Sequence, residues 1–223
     1  MKRQSGFTLV EIAIVLVIIG LLLGGVLKGQ ELINSAKIKN VSNDLNGITA
    51  AVYTYQDRYK ALPGDDLDAT TKARWNGLPG GDGNGTVNTG TTVAKFNSNT
   101  ATDETVLFWR HMRQSGLIGG DAASGAQPQN AAGGTLGVQD GAGSTAPAML
   151  SGLVVCTSNL EGKMAGAIDS QMDNGKPDSG SMLGFLQAGS VTPGSAEPTR
   201  GAAVATAYDE ADTSKLYTVC KRL

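Results

Sequence analysis

The chain opens on an apolar run from Phe7 to Leu27, broken by one carboxylate, Glu11, and preceded by two cations, Lys2 and Arg3. As a helix at ~1.5 Å per residue the run reaches roughly 32 Å, enough to cross the hydrocarbon core of a bilayer. The basic residues before it predict a cytoplasmic N-terminus, with the rest of the chain on the other side of the membrane. Beyond the run, apolar residues recur at Ile33, Ile38, Val41, Leu45, Ile48, Val52, Tyr55, Tyr59 and Leu62, in steps of three and four after the first. That spacing predicts an amphipathic helix continuing the apolar run to about Ala61, with Lys39, Asn43, Asn46, Asp57 and Lys60 on its polar face. Pro63-Gly64 is expected to stop it.

The pattern then loosens. Pro63 to about Asn99 reads as a polar, glycine-rich loop that Trp75 anchors to the body. Residues 103–118 read as a short helix capped by Asp103, with Leu107, Phe108, His111, Met112 and Leu117 on its buried side. Residues 119–147 form a second long Gly/Ala/Ser/Gln loop. Ala148–Cys156 reads as a strand. Asn159–Met172 reads as a helix, with Leu160, Met164, Ile168 and Met172 spaced by four. Asp173-Asn174-Gly175-Lys176-Pro177 is a turn. Ser181–Gln187 and Gly201–Ala207 are candidate strands, and Lys215–Arg222 is the clearest one: Leu216, Thr218 and Cys220 share one face, Tyr217 and Val219 the other. The fold class this predicts is α+β, a long N-terminal helix packed on a C-terminal antiparallel sheet.

Glu11 is the odd residue of the first segment, because a carboxylate inside a spanning helix costs on the order of 3 kcal/mol and calls for a partner. One reading is a lone anchor with the glutamate near the interface, or a cleaved secretory signal. The run exceeds the usual ~7–15 residue core of such signals, and no Ala-x-Ala site closes it. The other reading places the cut before the run, after Gly6. Phe7 then carries a new α-amino group about one turn from Glu11, and in an assembly the carboxylate pairs with the Phe7 amine of a neighbour.

Gly6-Phe7-Thr8-Leu9-Val10-Glu11, after a short basic leader and before an aliphatic run, closely resembles the start of type IV pilins and type II secretion pseudopilins. The close match covers about residues 1–35. The resemblance implies cleavage by a prepilin peptidase between Gly6 and Phe7, N-methylation of Phe7, and packing of the apolar helices as a filament core with Glu11 as the assembly residue. It also implies a division into a leader (1–6), a transmembrane and filament-core helix (7–28), an amphipathic continuation (29–62) and a globular head (63–223). One departure is Lys28, at a position where many members carry a kinking proline. Its ammonium is able to snorkel to the interface. Gly20 and Gly24 form a small-xxx-small pair, and with Gly25 and Gly29 they lower the cost of unwinding the helix.

Composition narrows the class. A net charge of −2 gives no strong field for nucleic acid or anionic membranes. With 17% charged residues and 31 glycines, the chain reads as a loop-rich, surface-exposed domain. Roughly 190 residues follow the anchor, enough for one domain with a modest core. Cys156 and Cys220 lie on the exported side, where disulfides persist. Neither has the spacing of a metal or redox site. If they pair, the loop of about 63 residues is worth roughly 4 kcal/mol by the chain-entropy account, in the manner of the C-terminal disulfide loop of many type IV pilins.

Candidate chemistry is sparse. Asp82, Asn84, Thr86 and Asn88 place oxygen-bearing side chains at alternate positions among glycines, the spacing by which a tightly turned backbone directs oxygens at calcium. The loop lacks the full calcium-loop pattern and its twelfth-position glutamate, and an ordinary Asx turn is the competing reading. Asp65, Asp66 and Asp68 could add charge, and Asp173–Asp178 is a second acidic turn. No cofactor is required, calcium being the one candidate. His111 has no second histidine or cysteine nearby in sequence and reads as a packing or surface residue, and the three tyrosines Tyr53, Tyr55 and Tyr59 as packing. No hydrolase elbow, phosphate-cradling loop or zinc spacing is present, so the expectation is a substrate of enzymes rather than an enzyme.

The function expected is a structural subunit of a type IV pilus-like filament. Its partners would be further copies of itself, other pilins, the prepilin peptidase and an inner-membrane assembly platform. The precursor would sit in the inner membrane with its head in the periplasm and then move to a cell-surface filament. The alternatives are a type II secretion pseudopilin in a periplasmic fibre, or a minor pilin or adhesin that binds DNA or surfaces. For the last, Lys72, Arg74, Arg110 and Arg113 are the candidate contacts.

Overall fold

The structure, a computed structural model, describes residues 8–88, 96–141, 150–187 and 205–223. The chain divides into two compact units, Met1–Lys37 and Ile38–Leu223. Helix α1 (Leu9–Tyr59) contributes to both. In the first unit its apolar side chains, from Leu9 to Leu27 and on to Leu32 and Ile33, are exposed. A Cβ added at Gly20, Gly24, Gly25 or Gly29 would meet nothing within 4 Å. Lys28 pairs with Glu31 at 2.7 Å on the surface. The helix is long and apolar enough to cross a membrane.

In the second unit the amphipathic stripe does what its spacing demands. Val41, Leu45, Ile48, Val52 and Tyr55 are buried, and Ile38 and Tyr59 pack at the margin of the same cluster. Ile33 is not part of it, being 58% exposed. The remaining elements are α2 (Asp68–Arg74), α3 (Glu104–Gln114), β1 (Leu136–Asp140), β2 (Leu153–Glu161), α4 (Gly162–Met172), β3 (Met182–Leu186) and β4 (Leu216–Arg222). The four strands form one antiparallel sheet in the order β1-β2-β4-β3. One sheet face, with Val138, Val155, Tyr217 and Val219, joins α1, α3 and α4 in the main core. The other face buries Phe96, Leu150, Val154, Leu183 and Phe185 around Cys156 and Cys220. The predicted α+β architecture is the one observed, and the alternation read in β4 separates the two cores.

The two cysteines face each other across the central strand pair, in register, and are joined as a disulfide. Both are buried. The chain after Cys220 is also tied down, with the Leu223 N–H donating to the Leu153 carbonyl at 3.0 Å.

Several boundaries differ from the pattern's prediction. The helix stops at Tyr59 rather than near Ala61, because Lys60 adopts a left-handed backbone (φ 56°) ahead of Pro63-Gly64. The Pro63–Asn99 segment is not all loop, since α2 forms within it. That helix has no apolar period, only Thr71 buried, and an Asp68–Lys72 pair one turn apart at 2.7 Å. The 119–147 segment contains β1. Gly137, which reads as a loop residue, marks a close approach instead: a Cβ there would lie 2.0 Å from the Phe96 carbonyl oxygen. Strand β2 begins at Leu153, later than Ala148, and runs past Cys156 to Glu161. It continues through a register shift between Thr157 and Leu160, where Asn159 has φ 64°. Of the candidate strand 201–207, residues 201–204 lie outside the described residues and 205–207 are not strand. Asp103 does sit at the N-cap of α3, but its carboxylate accepts from the Ser98 hydroxyl rather than from the helix.

Candidate functional sites: the helix start and the acidic loop

Gly6 and Phe7 lie outside the described residues, and Thr8 is where the helix begins to be seen. The Glu11 carboxylate reaches back to accept the Thr8 backbone N–H (2.8 Å) and the Thr8 hydroxyl (2.8 Å), while the Glu11 N–H approaches the Thr8 hydroxyl oxygen at 3.3 Å. This is a capping box: an N-cap threonine and the glutamate three residues on satisfy each other's free donors at a helix start. The signature Thr8-x-x-Glu11 is readable in the sequence, yet the membrane argument alone does not bring it out. Both bonds fall on Oε2, and among the described residues nothing donates to Oε1. The cap therefore leaves one carboxylate oxygen for an incoming cation, in the first turn of an exposed apolar helix.

The second site is built by the loop between α2 and α3 closing over the turn that follows α1. Asp65 accepts the Asn84 N–H and the Gly85 N–H through its two oxygens, each at 2.9 Å. Glu104, the first residue of α3, accepts the Asp82 N–H (3.0 Å) and the Asn88 N–H (2.7 Å). One oxygen each of Asp65, Asp82 and Glu104 lies within 4.8 Å of the others. Asp65 and Glu104 are buried and Asp82 is exposed. The backbone passes so close that a Cβ at Gly81 would lie 2.4 Å from Glu104 Oε1 and 2.6 Å from Asp65 Cα.

Three carboxylates this near one another repel. Burial is the main cause that pushes the Glu104 carboxyl up to about 7, with the Asp65 and Asp82 charges adding to it against the two backbone donors. Asp65 is also raised, again chiefly by burial. Of the residues predicted from the alternate spacing, the structure brings only Asp82 into this cluster. Asn84 Oδ1 accepts from the Thr86 N–H and hydroxyl, and the Thr86 hydroxyl accepts from the Asn88 amide. Asn88 Oδ1 is buried without a hydrogen-bond partner. Glu104 was hidden in sequence because a helix-starting acid normally faces water, and only the closure of 82–88 buries it. Three hard oxygen donors in one turn-rich site suit a calcium-sized cation, which takes 6–8 oxygens at roughly 2.3–2.6 Å.

Beside this site, Asp66 accepts the Tyr55 hydroxyl (3.0 Å) and pairs with Arg74 (2.5 Å), whose guanidinium lies over the rings of Tyr59 (4.5 Å) and Trp75 (4.9 Å). Of the four cations considered for binding DNA or a surface, Arg74 is thus committed to an acid and two rings, and Lys72 to Asp68. Arg113 donates to the carbonyls of Ser124 and Ala126. The second acidic turn and the end of α4 before it are held by donors of the protein itself, and within the turn Asn174 Oδ1 accepts the Lys176 N–H. Asp169 accepts from the Tyr208 hydroxyl and the Gly175 N–H, and Asp173 from the N–H groups of Ser181 and Met182.

In comparison with known proteins, residues 1–27 match the family model of the prokaryotic N-terminal methylation motif. No curated protein matches the chain.

Proposed function

We propose, from a methylation motif that is the hallmark of type IV pilins and pseudopilins and that marks a membrane-anchored precursor, that this chain is the structural subunit of a pilus-like filament. The motif implies processing by a prepilin peptidase and assembly with other pilins in general. The finer reading is cleavage between Gly6 and Phe7, methylation of the Phe7 amine, and polymerisation through α1. The observation that carries it is the pairing of that motif with Glu11, capped on one oxygen and open on the other, at the head of an apolar helix with no partner of its own. The work of extraction from the bilayer falls to a membrane machine. The filament then replaces lipid around the apolar helix with neighbouring helices.

Expression with a pilus assembly machinery, followed by shearing and imaging of the surface material, tests this. Long fibres are expected, made of chain that begins at Phe7 as read by mass spectrometry. Processed chain that stays in the membrane without fibres would favour the secretion-pseudopilin or minor-subunit alternatives. Chain that keeps residues 1–6 would overturn the processing itself.

The acidic loop supports a second, independent reading: Asp65, Asp82 and Glu104 hold a calcium ion, with Asn88 Oδ1 as the candidate fourth oxygen. A cation bound there relieves the repulsion among the carboxylates and closes the loop on the helix turn. Calcium at a hundred times its dissociation constant is expected to stabilise the fold by about 2.7 kcal/mol. For a chain of this size that raises the melting temperature by roughly 5–10 °C. Calorimetry with calcium and with chelator reads the shift. A Glu104→Gln variant should keep its fold and lose the calcium response, and a wild type indifferent to calcium removes the reading.

A further inference from the structure

We infer that His111 is an acid-released latch: its ring clamps both ends of the segment that carries α2 onto α3, and protonation of the ring opens one end. The buried imidazole lies between two backbone groups that are far apart in sequence. The Gly64 N–H points at Nδ1 at 2.9 Å, and Nε2 lies 2.9 Å from the Pro79 carbonyl oxygen. An N–H can only donate, so Nδ1 must be the bare, accepting nitrogen. A carbonyl can only accept, so Nε2 must carry the hydrogen. The partners therefore fix one neutral tautomer. Between Gly64 and Pro79 run the Asp65–Asp66 turn, exposed Leu67 and helix α2, so the two bonds close a loop against α3.

Taking up a proton at Nδ1 turns an acceptor into a donor facing a donor. The Gly64 bond cannot survive this, while the Pro79 bond can. The proton comes from solvent, and no other bond is made or broken. The charged groups facing the ring act in opposite directions, Asp66 for the imidazolium and Arg110 and Arg74 against it. From α1 comes Tyr55, whose ring stacks on the imidazole (centroids 6.4 Å apart, planes 9° apart) and whose hydroxyl is bound to Asp66. The segment itself supplies Asp66, already neutralised by Arg74, and the Trp75 ring at 5.7 Å. Arg110, from α3, adds a like charge.

Burial first, and then Arg110 and Arg74, hold the His111 pKa below the ordinary value of 6.5, against the Pro79 bond and Asp66. The sign follows. The latched state resists the proton, while the open state takes it at the ordinary value. The closed segment is therefore fully favoured above pH ~6.5 and loses that advantage as pH falls below it. The opening would reshape the open groove of about 640 Å³ that Leu67 and Thr70 line with Tyr59, Leu62 and Asp65. The head surface would thus differ between neutral and acid surroundings.

His111 is the sole histidine of the chain, so its ring resonances are unambiguous. Full-length protein in detergent micelles, labelled with ¹⁵N-histidine, is titrated from pH 7.5 to 4.5. Ring nitrogens are read by NMR, and amide exchange of residues 65–79 is read against that of β2. The Nε2–H tautomer is expected at pH 7.5. Exchange in 65–79, corrected for its intrinsic pH dependence, should rise relative to β2 by up to tenfold per pH unit until the ring is protonated. His111→Gln supplies an acceptor and a donor without titrating, and should hold the segment closed throughout. A Nδ1–H tautomer at neutral pH overturns the latch, as does a ring that protonates with no change in 65–79. The same opening midpoint in His111→Gln also overturns it. The two wild-type measurements decide the matter even if the variant fails to fold.

Discussion

Replacing Glu11 with alanine should leave the precursor inserted and cleaved but reduce assembled fibre by roughly a hundredfold or more. The estimate follows from what the carboxylate would do in the apolar filament core of the proposed function. Leaving the Phe7 ammonium of a neighbour buried without its partner costs about 3–5 kcal/mol, and each ~1.4 kcal/mol is tenfold in the equilibrium of subunit addition. The capping box supplies a rival explanation, since Glu11 also caps Thr8 at the helix start. Glu11→Gln separates the two. Glutamine at this position of a capping box still accepts the Thr8 N–H, so the helix start is kept while the charge is lost. Fibre yield from Glu11→Gln near that of alanine would establish charge pairing as the assembly contact. Yield near wild type would assign the residue to helix initiation. Electron microscopy and quantification of sheared material read both, with membrane fractions checked for cleaved subunit.

Removing the disulfide should be the largest change in stability available without touching the helix. Cys156→Ala with Cys220→Ala frees two positions 64 apart in sequence in the unfolded chain, a closure the entropy account values at roughly 4 kcal/mol. At about 2–4 °C per kcal/mol, the melting temperature should fall by roughly 8–16 °C. Alanine is the better probe, since a serine hydroxyl among Phe96, Leu183 and Phe185 would add the cost of an unpaired buried polar group. The β2–β4 register has its own hydrogen bonds and packing, so the variant should keep its sheet, read by circular dichroism. Thermal denaturation with and without reductant checks the magnitude. A midpoint that does not move would mean that the unfolded chain is already confined near Cys156 and Cys220.

The parts of this fold that could be read in advance are those where one periodicity dominates. The stripe Val41–Tyr55 and the alternation of β4 are each set by which side must leave water, and the structure buries them accordingly. The parts that escaped depend on contacts remote in sequence. Strand β1 looks like loop because Gly137 breaks its pattern, and the reason for the glycine, the Phe96 carbonyl, is about forty residues away. Helix α2 is too short to show a period and is held by Arg74 reaching Asp66. The candidate metal site was legible in part. Asp82 announced itself by its glycine-rich setting, but Glu104 becomes a partner only through the closure that buries it. The Asn84–Thr86–Asn88 oxygens, evenly spaced on paper, spend themselves on one another.

The sheet order has a consequence for export. Strands β2 and β3 both pair with β4, and β4 follows both of them in the chain. If the head crosses a membrane, as the proposed function requires, β1 and β2 can pair as they emerge, but β3 has no neighbour in the sheet and Cys156 no partner until β4 follows. The sheet of a head exported in this way would close late, after most of the chain has passed. A subunit stalled short of β4 would present the unpaired edges of β2 and β3, a state that proteases and holding chaperones are suited to recognise.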